Sequence, residues 1–197
     1  MNELINYQCR FCNSRLEHVF LDLGKIPSAN SFLKKEELEK EKIYPLCVYI
    51  CKKCLLVQIP EIRTPAELFS NYAYFSSFSD SWMNHAKEYV KMMIKRFNLN
   101  KASHIVEIAS NDGYLLKFFA ELNIPVLGIE PASNVAKNAI KKGIPTLVKF
   151  FNTDTAKELK EKNQRADVLL GNNVLAHVPD VNNFVKGMKI LLKPNGI

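Results

Sequence analysis

What this 197-residue chain lacks narrows its function before any motif is considered. Uncharged stretches such as residues 168–179 run to about a dozen residues, short of the roughly 18 apolar residues a membrane-spanning helix needs, so no membrane role is expected. The opening MNELINYQCR has no apolar core of the kind a secretory signal carries, and the expected compartment is cytoplasmic. No run of Lys or Arg exceeds two, although basic residues outnumber acidic ones by 27 to 20, and the excess of +7 is spread over the whole length. A diffuse excess suits solubility and anionic small molecules, and a dedicated nucleic-acid face is not expected. There is no internal repeat, and no G-x-G-x-x-G loop, which argues against a dinucleotide cofactor.

What is present begins with cysteine. Four of the five cysteines form two Cys-x2-Cys doublets, Cys9 with Cys12 and Cys51 with Cys54. In a reducing compartment paired thiols read as metal ligands rather than disulfides. A tight knuckle offers two thiolates to one ion, and two knuckles complete the tetrahedron Zn²⁺ prefers. The 38 residues between the doublets exceed the common spacing of about 15–20, and a redox dithiol or reduced, unpaired cysteines stay open as the alternatives. Arg10, Lys52 and Lys53 sit beside the thiols and ease their deprotonation. A four-thiolate site leaves no open position for chemistry, so the metal's role is structural. Cys47, at an apolar strand position, reads as a small buried hydrophobe.

Three segments follow from pattern. Residues 1–63 read as short extended pieces, with strands near 17–23 and 46–50 and a solvated charge run at 34–42. Residues 64–100 hold an aromatic, Ser-rich linker and then a helix capped by Ser79 or Asp80, with an apolar stripe from Met83 to Phe97. Residues 101–197 alternate strand and helix: strands at 104–109, 125–130, 145–149 and 166–171, helices at 113–122, 133–142, 155–162 and 179–192. Gly143 suits a helix end, and Thr155 with Glu158 has capping-box spacing. The fold class is α/β, a parallel sheet covered by helices and preceded by a small metal-binding domain.

Ligands in such sheets sit at the carboxyl ends of strands. Glu107 lies on the first strand, and Ala109-Ser110-Asn111-Asp112-Gly113 turns from it into a helix. Only Gly113 remains of the usual glycine-rich loop, and Asn111 is the non-glycine type most tolerant of left-handed backbone. Glu130, 23 residues after Glu107, ends the second strand, where a carboxylate can accept both hydroxyls of a ribose. The segment GNNVLAHVPD follows the fourth strand. The layout is that of an S-adenosylmethionine (SAM) pocket.

Jointly, LDLGKIPSANSF, PLCVYICKKCLLVQI, YAYFSSFSDSW, VEIASNDGYLL, GIEPASNVA and GNNVLAHVPD resemble the sugar C-methyltransferases, which act on nucleotide-linked ketosugars. The resemblance implies an N-terminal zinc domain, a Rossmann-like class I methyltransferase domain, a nucleotide-sugar substrate in deoxysugar biosynthesis and a monomer when full length. It implies methylation at the carbon beside a 4-keto group after a base removes the α-proton. By the same resemblance Glu107, Ala109, Asn111, Gly113, Glu130, Asn172 and Asn173 face the cofactor, Tyr72 and Tyr74 close over cofactor and sugar, and His177 lies near the reaction centre.

The family's chains are longer, and its base, a histidine in a Tyr-x-Glu-His-like segment, is expected beyond residue 197. The closing LLKPNGI reads as helix end, turn and strand start, leaving the fourth strand an open edge. The chain is therefore expected to be truncated and inactive alone. His18, His85 and His104 are expected away from the chemistry. Competing readings are an O- or N-methyltransferase of the same fold and a zinc-ribbon nucleic-acid-binding protein.

Overall fold

Antiparallel pairing organises the N-terminal part of the computed structural model, which describes residues 7–197. Strands β1 (His18–Pro27), β2 (Ile43–Ile50) and β3 (Val57–Gln58) form a sheet in that order. The first two run longer than the alternation alone suggests, with register shifts between Val19 and Leu21 and between Asp22 and Lys25. The charge run holds a short 3-10 turn at Lys35–Lys40. Every residue of β1 is exposed, so this sheet covers little apolar surface. The buried interior of the head is Cys9, Leu16 and Cys51, flanked by Tyr7, Tyr49 and Leu56. So small an interior cannot hold such a unit by burial alone, and a crosslink between the cysteines is what the architecture requires.

Next, α1 (Pro65–Phe69) opens with a capping box: the Glu67 amide donates to the Thr64 hydroxyl, and the Thr64 amide donates to the Glu67 carboxylate at 2.8 Å. Residues 70–79 form an open strap with one 3-10 turn at Ser76–Phe78. Ser79 then caps α2 (Asp80–Phe97), accepting from the Trp82 amide, and Asn98 closes that helix in the left-handed conformation.

The remaining elements are β4 (Ile105–Ile108), α3 (Leu116–Ala120), β5 (Val126–Ile129), α4 (Ser133–Lys141), β6 (Thr146–Leu147), α5 (Thr153–Glu161), β7 (Val168–Leu170) and α6 (Val181–Leu191). The four strands are parallel, in the order β6-β5-β4-β7. Period-2 alternation splits β4 between two cores. Ile105 packs with Val90, Phe119 and Val168 under α2 and α3, while Val106 and Ile108 pack with Leu159, Phe184 and Leu191 under α5 and α6. The chain moves outward from β4 through β5 to β6 and then returns to β7 on the other side of β4. That reversal opens a crevice at the carboxyl ends of β4, β5 and β7. No helix among the described residues is long and apolar enough to cross a membrane.

Three expectations need correction. The helix after β4 starts at Leu116 rather than 113, because the turn before it carries Gly113 at φ +75°. The helix expected from Thr155 starts at Thr153: Asn152 is its cap, accepting from the amides of Asp154 and Thr155, while the Thr155 hydroxyl donates to the Phe150 carbonyl. The edge of β7 is not open throughout, since the Leu169 amide donates to the Ile197 carbonyl at 2.7 Å and the Ile197 amide to the Asp167 carbonyl at 2.9 Å.

Candidate functional site

Each cysteine doublet folds as the same local turn. The Asn13 amide donates to the Cys9 carbonyl and the Leu55 amide to the Cys51 carbonyl, both at 2.9 Å, with Asn13 and Leu55 left-handed. Leucine there costs about 1–2 kcal/mol, which the turn accepts to aim two thiols inward. The four sulfurs lie within 4.8 Å of one another, with Cys9–Cys54 and Cys12–Cys51 at 3.5 Å. A tetrahedron with Zn–S bonds of about 2.3 Å has sulfurs about 3.8 Å apart, so the set fits Zn²⁺. Hydrogen bonding to the Ser14 side chain, and then to its backbone, brings the Cys12 thiol down to about 6. Gln58 donates to Cys9 Sγ at 3.2 Å while its carbonyl oxygen accepts the Arg10 amide at 2.9 Å. Cys47 is half-buried on β2 and outside the cluster.

The loop after β4 is bent by three residues with positive φ: Ala109 (55°), Asn111 (51°) and Gly113 (75°). A Cβ on Gly113 would lie 2.9 Å from Ile144 Cγ1, so glycine is needed there for space as well as for φ. Glu130 holds this loop from β5. One carboxylate oxygen accepts the Asn111 amide at 2.9 Å and the other accepts the Ala132 amide at 2.8 Å. Burial raises the pKa of Glu130, while those two amides oppose the shift. Deeper in, Glu107 is fully buried. One of its oxygens accepts from Asn172 Nδ2 at 3.2 Å, and the other has no partner. Burial pushes Glu107 up to about 8, and the charges of Glu130 and Asp112 add to the rise.

Asn111 also explains why this loop is not glycine. Its side-chain oxygen accepts the amides of Ser76 and Asp112, each at 2.9 Å, and its Nδ2 donates to the Tyr74 carbonyl at 3.1 Å. Asn134 grips the strap likewise, accepting the Tyr72 amide at 3.0 Å and donating to the Tyr72 carbonyl at 2.7 Å. The Ser133 amide reaches the Ser70 carbonyl at 3.2 Å. Ser77 donates to Asp112, which also pairs with Lys142 at 2.8 Å. The aromatic linker is thus a roof pinned to the loop and to the start of α4.

Beneath the roof is a cavity of about 840 Å³, within the range of small-molecule and cofactor sites. Tyr72, Tyr74, Phe69 and Trp82 line it from above, Ala109, Asn111 and Glu130 from the loop, and Asn172, Asn173 and His177 from the far side. Phe69 meets Tyr72 and His177 edge-on at centroid distances of 5.7 and 5.8 Å. Glu107 and Gly113 do not line the cavity. Glu107 orients Asn172 from behind, and Gly113 packs on Ile144. His104 lies at the opposite end of β4, its amide donating to Asp167, and His18 opens β1. His85 stacks on Trp82 at 5.3 Å and so stands behind the roof. The sequence reading missed Trp82 and Gln58, and gave Arg10 only the part of a charge beside the thiols, whereas its guanidinium reaches the carbonyls of Ala176 and Val178. Trp82 carried a signal, being the only tryptophan and one turn into a helix beside the aromatic linker.

Two family models match the chain. One, described as "Putative zinc binding domain", covers residues 9–69, and the other, described as "Methyltransferase domain", covers residues 106–197. The four clustered cysteines lie within the first of these matches and the parallel-sheet unit lies almost wholly within the second, so the head is similar to a zinc-binding domain and the sheet unit to a methyltransferase domain. Among curated relatives, the C-methyltransferase NovU of Streptomyces niveus is 29% identical over 191 residues, 96% of this chain and 46% of its own. A ubiquinone biosynthesis O-methyltransferase of Rhodopseudomonas palustris is 33% identical over 94 residues, 47% of this chain and 37% of that relative. A crystal structure of a SAM-dependent methyltransferase from Anabaena variabilis aligns with a TM-score of 0.49 at 18% identity, covering 58% of this chain and 51% of that one. The chain spans less than half the length of these curated relatives.

Proposed function

We propose that this chain is part of a cytoplasmic C-methyltransferase that uses SAM to methylate the carbon beside the ketone of a nucleotide-linked 4-keto-deoxy sugar. One observation carries the choice of carbon over oxygen. The similarity to the C-methyltransferase extends over 96% of the chain, whereas the O-methyltransferase alignment of 94 residues is too short to include both head and sheet domain.

The residues present fit the cofactor. Glu130 stands at the carboxyl end of β5 with each oxygen holding one amide, which leaves a further lone pair on each for the two ribose hydroxyls. Ala109 and Asn111 supply the loop wall, and Asn172, held by Glu107, supplies the wall across from it. When bound, SAM supplies an electrophilic methyl group on a sulfonium. Around it the chain supplies position and dryness. Phe69, Tyr72, Tyr74 and Trp82 give the cavity an aromatic lining, which limits water around a carbon nucleophile that protonation would quench before methylation. His177 faces the cavity from the 3-10 turn after β7, on the side where the sugar is expected.

Calorimetry with S-adenosylhomocysteine tests the cofactor. Incubating the full-length protein with methyl-labelled SAM and a dTDP-4-keto-6-deoxy sugar tests the acceptor. Label on a ring carbon beside the ketone supports the proposal. Label on oxygen or nitrogen, or none with this sugar class, overturns it.

A further inference from the structure

One side chain ties the metal knuckle to the cavity wall. Arg10 lies between Cys9 and Cys12, and its guanidinium leaves the knuckle. Its Nη1 donates to the carbonyls of Ala176 and Val178, both at 3.1 Å, and Nη2 donates to the Ile59 carbonyl. The two carbonyls flank His177. They lie at the end of the 3-10 turn Leu175–His177, where unpaired carbonyls concentrate negative charge and favour a cation. A single bond would leave the peptide planes around His177 free to rotate. Two bonds from one nitrogen fix both. A second strut runs beside it, from Asn182 Nδ2 at the start of α6 to the Phe11 carbonyl, 2.8 Å away.

The other end of Arg10 is held by the metal site. Gln58 donates to Cys9 Sγ and accepts the Arg10 amide, so the knuckle that aims the sulfur also aims the arginine. The path from sulfur to His177 is continuous: Cys9, Gln58, Arg10, then the carbonyls on either side of the histidine. We propose that Arg10 is a positioning residue through which the zinc knuckle sets the orientation of His177 in the cavity wall. The metal then does more than hold the head together, because the geometry of the sugar side of the cavity depends on it. This rests on reading the cavity as the methyl-transfer site.

The test compares wild type with Arg10→Gln and Arg10→Lys. Gln retains part of the stem without the fork, and Lys keeps the charge without the planar donor pair. Three readouts are taken on each: zinc content, affinity for S-adenosylhomocysteine, and the NMR signal of the His177 ring, assigned with His177→Asn. The His177 signal reports directly because the ring lies edge-on to Phe69, whose ring current displaces it. Both variants should keep their zinc and bind S-adenosylhomocysteine within about twofold of wild type, since Glu130 and its loop touch neither Arg10 nor residues 176–178. In both, the His177 signal should move toward its free-histidine position. Chelating zinc from wild type should move it the same way. A His177 signal unchanged in zinc-loaded Arg10→Gln overturns the proposal, as does one unchanged on zinc removal. Failure of wild type to bind S-adenosylhomocysteine would count against the cofactor reading instead, and the His177 readout needs no ligand.

Discussion

Replacing Asn111 with glycine would restore a residue type expected of such loops, and it should weaken this one. Glycine adopts the +51° φ of Asn111 freely, so the substitution costs nothing in the backbone and relieves at most about 1 kcal/mol of left-handed strain. Of the three side-chain bonds it deletes, one is local, to the Asp112 amide, and two grip the roof: the acceptor for the buried Ser76 amide at 2.9 Å and the donor to the Tyr74 carbonyl at 3.1 Å. At the roof, a buried amide left without a partner costs about 1–3 kcal/mol and the second lost roof bond about 1 kcal/mol, so the net loss there is on the order of 2 kcal/mol. Water can reach the strap if it lifts, so the loss should appear as local opening. Hydrogen exchange at the Ser76 amide should speed up about 30-fold, the factor that 2 kcal/mol represents, with a smaller fall in global stability. S-adenosylhomocysteine should bind more weakly, because the roof covers the cavity. Asn111→Ala is the control. It loses the same bonds and keeps a Cβ at positive φ, so it should be less stable than the glycine variant by about 1 kcal/mol. Unchanged Ser76 protection in Asn111→Gly would refute the reasoning, and so would equal stability of the two variants.

Glu130→Ala should weaken S-adenosylhomocysteine binding by about 1.5–3 kcal/mol in calorimetry, and equal dissociation constants would place the ribose elsewhere. Cys51→Ser should abolish zinc binding and unfold the head, since thiolate sites contribute on the order of 10 kcal/mol; unchanged metal content by elemental analysis would contradict the four-thiolate site. Glu107→Gln should stabilise the protein at alkaline but not at acid pH. A carboxyl raised from 4.5 to about 8 favours folding only while neutral, so its contribution is complete below the unfolded value and lost as pH rises through about 8. The gap in Tm between variant and wild type should therefore widen across that window, and a gap independent of pH would refute the shift.

The sequence made legible whatever is local. Both knuckles, the Ser79 cap and the left-handed Asn111 are set by residues within a few positions of one another, and β4 and β5 by short, nearly continuous apolar runs. The misread helix start at Thr155 is a contest between two local caps that spacing alone does not decide: Asn152 reaches two amides, and the Thr155 hydroxyl turns back to the Phe150 carbonyl instead. The role of Gln58 and the reach of Arg10 beyond the thiols were illegible because their partners lie far along the chain and are mostly backbone groups, which every residue has. Glu107 is expected against the cofactor by resemblance to the family's loop, yet its side chain falls on the inner face with Ile105 and reaches the cavity wall through Asn172.

The roof over the cavity is held mostly by its main chain, with the Ser77 hydroxyl on Asp112 as a side-chain tie. Its ties to Asn111, Asn134 and Ser133 run through the Ser70 carbonyl, the Tyr72 amide and carbonyl, the Tyr74 carbonyl and the Ser76 amide. None of these uses the tyrosine rings that face the cavity. Attachment to the sheet unit and the lining of the cavity are therefore written in separate alphabets. A library randomised at residues 72 and 74 should keep these main-chain ties, losing only the bond from Asn30 to the Tyr72 hydroxyl and the ring contacts of Phe69, Tyr72 and Tyr74, and should remain folded.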